Sequence, residues 1–102
     1  MKAYQLVVEF AVTGIADIER MFECELKLHE QLRSGEVDGN DIGGDIFNFF
    51  IITQEPIKSF EETLLHLAAM NLRPNSAGYR GEDEDEYTRL WPKDDTTPFE
   101  LR

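Results

Sequence analysis

The chain has a single cysteine, Cys24, in 102 residues. No internal disulfide can form and no thiolate-rich zinc site can be assembled, which suits a reducing compartment and makes the cytoplasm the expected location. Basic residues are also scarce: 10 Lys and Arg stand against 21 Asp and Glu, for a formal charge of -11 and a pI near 4.4. Nucleic acid and anionic membrane are both poor partners for such a surface, because each is bound by cations that displace counterions. No apolar run approaches the length of a membrane span. The opening MKAYQLVVEF carries Glu9 among its apolar residues and is followed by no small-residue cleavage site, so it reads as a strand and not as a signal peptide. There is no internal repeat, no G-x-S-x-G nucleophile motif and no lysine after Gly43-Gly44-Asp45 to make a phosphate loop. No catalytic residue, metal or cofactor is therefore assigned.

What is present is a globular balance, 41% hydrophobic and 30% charged. At this length one core is expected, spanning residues 1–92, with 93–102 as a tail for which Phe99 and Leu101 are the docking candidates. Tyr4, Leu6, Val8, Phe10 and Val12 alternate with Gln5, Val7, Glu9 and Ala11, the period of two of a strand with one well-buried face. Thr13-Gly14 breaks it. Residues 15–32 then place Ile15, Ile18, Phe22 and Leu26 at helical spacing, with Cys24 projecting away from that stripe among glutamates. Ser34-Gly35 stops the helix. Glu36 to Ile42 is short and polar, an edge strand that turns at Gly43-Gly44.

Residues 46–52 form the most apolar stretch, and a strand apolar on both faces belongs at the centre of a covered sheet. Pro56 opens a second helix that runs through Met70 on Ile57, Phe60, Leu64, Leu67 and Ala68; Ser59 and Glu62 offer a competing start as a capping box. Arg73-Pro74-Asn75 ends it. Residues 77–81 and 86–91, separated by an acidic run, form one bent strand or a hairpin.

This β-α-β-β-α-β order resembles the ferredoxin-like α/β plait across residues 4 to 91. The resemblance implies an α+β fold with an antiparallel sheet ordered 4-1-3-2 and both helices on one face. Residues 46–52 nevertheless offer apolar side chains to both faces, Phe47, Phe49 and Ile51 to one and Ile46, Phe50 and Ile52 to the other, and the helices cover only one of them. A large uncovered apolar face is unusual in a soluble monomer, so a second copy, the C-terminal segment with Trp91 and Phe99, or a ligand is expected to cover it. Two-fold self-association makes a homodimer the favoured answer.

Candidate sites are few. The turn DGNDIGGD fails as a calcium loop: with Asp38 at position 1, Ile42 falls at position 5 and Phe49 at position 12, where carboxylates are needed. Its Asp, Asn and Gly residues are those that turns favour. His29 lies near the apolar stripe of the first helix with Glu25 one turn earlier, either a pocket pair or an ordinary helical one. With Asn48, Tyr79 and Trp91 these two are the candidate pocket residues. His66 falls opposite the apolar face and is expected in solvent. Cys24, among glutamates, makes a poor nucleophile. The run Glu82, Asp83, Glu84, Asp85, Glu86 followed by Tyr87 is either a solvated loop or a partner surface that joins charge to an aromatic anchor.

The leading expectation is a small acidic, non-catalytic binding or regulatory protein, such as an immunity or inhibitor protein for a basic partner. The alternative is a dimeric small-molecule-binding or enzymatic plait domain with a pocket on the open sheet face.

Overall fold

Alternation in the first residues produces β1 (Tyr4–Ala11), and the 3.6-residue period after Gly14 produces α1 (Ile15–Gln31). They are followed by β2 (Glu36–Gly43), β3 (Ile46–Thr53), α2 (Pro56–Ala69), β4 (Ser76–Gly81) and β5 (Thr88–Trp91) in a computed structural model that describes residues 2–101. The fold is α+β. All four strand pairings are antiparallel and the sheet runs β2-β3-β1-β4-β5. This departs from the simple four-strand order expected: β4, β1, β3 and β2 keep the sequence 4-1-3-2, but β5 folds back beside β4 as a fifth, outer strand. Residues 77–91 are thus a hairpin and not one bent strand.

The core lies on one face. Leu6, Val8 and Phe10 of β1 stand beside Phe47, Phe49 and Ile51 of β3, and both helices contribute to the same cluster, Met21, Cys24 and Leu28 from α1, Phe60 and Leu67 from α2. Fully burying side chains of this size contributes roughly 2–3 kcal/mol each. Phe47 and Phe49 meet edge to face at 5.1 Å, and Phe10 meets Phe49 at 5.5 Å.

The expected inward stripe of α1 is displaced. Met21, Cys24 and Leu28 are buried, whereas Ile15 is 76%, Leu26 59% and Phe22 45% exposed. The helix carries two adjacent apolar stripes, and the one that meets both β3 and α2 goes inside. Cys24 therefore sits in the core. Burial first, and Glu25 second, pushes its thiol up to about 12, so it is a poor nucleophile for a different leading reason from the one expected.

The second helix begins at Pro56 without a capping box. Glu55 is its N-cap and no side chain caps it. Ser59 Oγ is buried with no hydrogen-bond partner among the described residues. Glu62 instead reaches out to the α1–β2 turn, accepting from the backbone N–H of Arg33 and Ser34 and from the Ser34 hydroxyl. The helix ends before Arg73-Pro74-Asn75: Asn71 takes the left-handed conformation at φ 59, and the Asn71 and Leu72 N–H groups close on Ala68 and Leu67.

The second face of the sheet is also partly closed. Val7 is fully buried and Glu9 is 1% exposed, because the chain after β5 returns across β4 and lays Phe99 on Gly78. A β-carbon at Gly78 would lie 2.6 Å from the Phe99 ring, so this position needs glycine for close approach. Over β1 and β4 the covering segment is the C-terminal one, so no second copy is needed there. Ile46, Phe50 and Ile52, nearer the β2 edge, remain half-buried.

Candidate functional site

The β5 side of the sheet is built around two arginines. Arg80, from β4, donates through Nη1 to the carbonyl oxygens of Gly81 at 3.4 Å, Glu82 at 3.3 Å and Glu84 at 2.7 Å. Its Nε faces the Gln5 amide oxygen and the Tyr87 hydroxyl, and the Tyr87 hydroxyl in turn donates to Gln5. Glu84 accepts from the Gly81 N–H and pairs with Lys2 at 3.1 Å. The acidic hairpin loop is thereby held by its own backbone carbonyls, which a planar guanidinium suits. The carboxylates of Glu82, Asp83, Asp85 and Glu86 stay exposed.

Arg89 performs the matching task for the C-terminal segment. Its guanidinium donates to the carbonyls of Thr97 at 2.7 Å, Trp91 at 2.9 Å and Pro98 at 3.3 Å, and it lies over the Phe99 ring at 5.6 Å. The Asp95 carboxylate is 3.8 Å away and accepts from the Thr97 hydroxyl and N–H, which hold its carboxyl below the usual range. Tyr87 packs on Phe99 with centroids 5.2 Å apart. Between loop and segment lies an open groove of about 650 Å³ lined by Asp85, Glu86, Tyr87, Pro98, Phe99, Glu100 and Leu101. Three carboxylates over an aromatic and aliphatic floor form a surface for a cationic side chain with apolar neighbours.

The five pocket candidates are not brought together. Glu25 and His29 lie at a groove between α1 and β2, where Glu25 accepts from Asn40 Nδ2 at 2.7 Å and His29 is exposed. Asn48 is buried on the opposite face of the sheet, across from Glu9 in the β1–β3 register. Tyr79 stacks edge-on with Tyr4 at 5.7 Å. Trp91 packs near Phe60 and donates its indole N–H to the Pro74 carbonyl, beside a hollow formed with Leu64, Ala68 and Leu72. Of the partner candidates Glu82 to Tyr87, Asp85, Glu86 and Tyr87 line one groove, while Glu84 turns to Lys2 and the Gly81 N–H. His66 is not in open solvent: its side chain is 26% exposed and Nε2 lies 3.2 Å from Glu62.

Three polar residues central to the structure take roles that the sequence pattern does not assign them. Glu9 is buried, accepting from Asn75 Nδ2 at 2.8 Å and the Ser76 hydroxyl at 3.2 Å. Arg89 falls in the extended stretch 86–91 and latches the C-terminal segment, and Glu62, a capping-box candidate, bonds the Arg33–Ser34 turn instead. The signal for Glu9 was there: a lone carboxylate amid the apolar residues of a central strand. No group of three or more His, Cys, Asp or Glu side chains positioned to hold a metal occurs among the described residues. No described helix is long and apolar enough to cross a membrane. Comparison with protein-family models, curated proteins and solved structures finds no match.

Proposed function

We propose that this protein is a plait of the ferredoxin-like kind with an added edge strand, acting as a non-catalytic binding or regulatory protein for a basic partner, as an immunity or inhibitor protein does. The observation that carries the reading is the fixed acidic loop. Arg80 holds the loop backbone through its carbonyls and Lys2 pairs with Glu84, so a partner has less of the loop backbone to order on binding. The groove beside the loop adds Tyr87, Phe99 and Leu101 as an apolar floor. A net charge of -11 steers cationic proteins towards it.

The alternative, a small-molecule or enzymatic pocket, has less support, since its candidates lie at separate places on both faces of the sheet. Self-association through Ile46, Phe50 and Ile52 is opposed by the like charge of two copies, and light scattering over a range of concentrations decides it.

The test uses a panel of small basic proteins, including nucleases, titrated by fluorescence anisotropy. Binding to at least one member should weaken steeply between about 20 and about 200 mM salt. The double variant Asp85→Lys, Glu86→Lys should lose about tenfold or more in affinity. Binding that ignores both salt and charge reversal would sink the reading, as would no binding to any member.

A further inference from the structure

The opposite edge of the sheet has a different construction. Among the described residues β2 pairs with β3 alone, so its outer edge has no strand beside it. Above that edge, between α1 and β2, is a groove of about 500 Å³ lined by Phe22, Glu25, Leu26, His29, Val37 and Asp38 with Gly39. Phe22 rests edge-on against Phe47 at 5.5 Å, and Ile42, 38% exposed, lies opposite Phe47 in the β2–β3 register. Apolar side chains of the helix and the strand thus flank a row of backbone groups available for pairing, the arrangement that strand addition uses.

Charge identifies the occupant. Glu36, Asp38, Asp41 and Asp45 lie in or just beyond β2, and residues 36–45 include no Lys or Arg. A second copy paired along this edge would set these four carboxylates against the same four, which like-charge repulsion disfavours. The irregularity between Val37 and Gly39, with Gly39 at φ 137, guards the edge further against a flat copy of itself. A cationic strand does not meet the charge barrier. The register puts Ile42 and Val37 on the helix side of β2 and Glu36 and Asp41 on the other side.

We propose that the edge of β2 and the α1–β2 groove take an extended segment of a basic protein as a sixth strand, with apolar residues facing Phe22 and Leu26 and alternate Lys or Arg residues facing Glu36 and Asp41. This site lies across the sheet from the acidic loop and stands independently of it.

The probe is an eight-residue peptide alternating valine and lysine, set against a block peptide of the same composition and an alternating valine–glutamate peptide. The alternating cationic peptide should bind and slow hydrogen exchange at β2 amides. Leu26→Lys, at an exposed position that leaves the core intact, should weaken it about tenfold. Asp85→Lys, Glu86→Lys should leave the β2 protection in place. The proposal is overturned if the block peptide protects β2 equally, if Leu26→Lys has no effect, if the protected amides lie only in residues 82–87, if no peptide binds, or if sedimentation shows that β2 pairs with a second copy. Loss of binding at the acidic loop with retention at β2 would strike the proposed function alone.

Discussion

The two edges of the sheet differ in how they are finished. At β5 the chain sets two arginines on backbone carbonyls, folds a segment without regular structure over β4, and leaves exposed carboxylates and an open groove outside. At β2 none of the described residues folds back over the edge: the strand is polar, two of its residues are the glycines Gly39 and Gly43, and exposed apolar side chains of α1 stand over it. Closing an edge with irregular chain requires that every carbonyl find a donor, and Arg80 and Arg89 supply those donors. An edge left open must instead be protected by charge and irregularity.

The contrast breaks first at Phe99. This ring is 4% exposed, and removing it leaves Gly78 and Val7 uncovered. Phe99→Ala should cost about 3–5 kcal/mol, read as a lower denaturant midpoint, with exchange rising across β4 and β5 and not across β2. A loss below about 1 kcal/mol would mean that the segment is not part of the core.

A smaller effect lies at the turn that leads into β2. Burial pushes the Glu62 carboxyl up, but bonds from the Ser34 hydroxyl, the Arg33 and Ser34 N–H groups and His66 outweigh it and bring the group to about 2. Between the ordinary value of 4.5 and about 2 the unfolded chain binds the extra proton, so stability rises with pH through that window and is lost as pH falls through it. Glu62→Gln should remove about 1–3 kcal/mol at neutral pH and flatten the acid limb of a stability-against-pH curve. An unchanged acid limb would show that these bonds contribute nothing to folding.

The smallest effect sharpens the comparison most. Leu26 and Leu28 are two residues apart on α1, one 59% exposed and the other fully buried. Leu26→Gln should change stability by no more than about 0.5 kcal/mol in chemical denaturation. A cost of several times that would place Leu26 in the core and take away the groove.

Much of the fold was legible in local pattern. The alternation of β1, the apolar run of β3, Pro56 at the start of α2 and the polar character of β2 each depend on side chains a few residues apart, and each element formed where its pattern lay. The acidic loop was legible as charge. The latch behind it was not, because an arginine bonded to carbonyls looks in sequence like any exposed arginine. Glu9 stands out in sequence as a lone carboxylate in a central strand, but its burial does not: whether the second face of a strand is wet or dry depends on a segment some 90 residues away, whose Phe99 arrives without any periodicity to announce it.

The sequence by itself determined the element types, their order, the central place of β1 and β3 and the strongly acidic surface, since these follow from spacing and composition. Only the tertiary structure decided which of the two apolar stripes of α1 was buried, that Cys24 went inside while Phe22 and Leu26 stayed out, and that the C-terminal segment covers β4. Each of those choices depends on which other element occupies a face, and local periodicity is the same whichever neighbour is there.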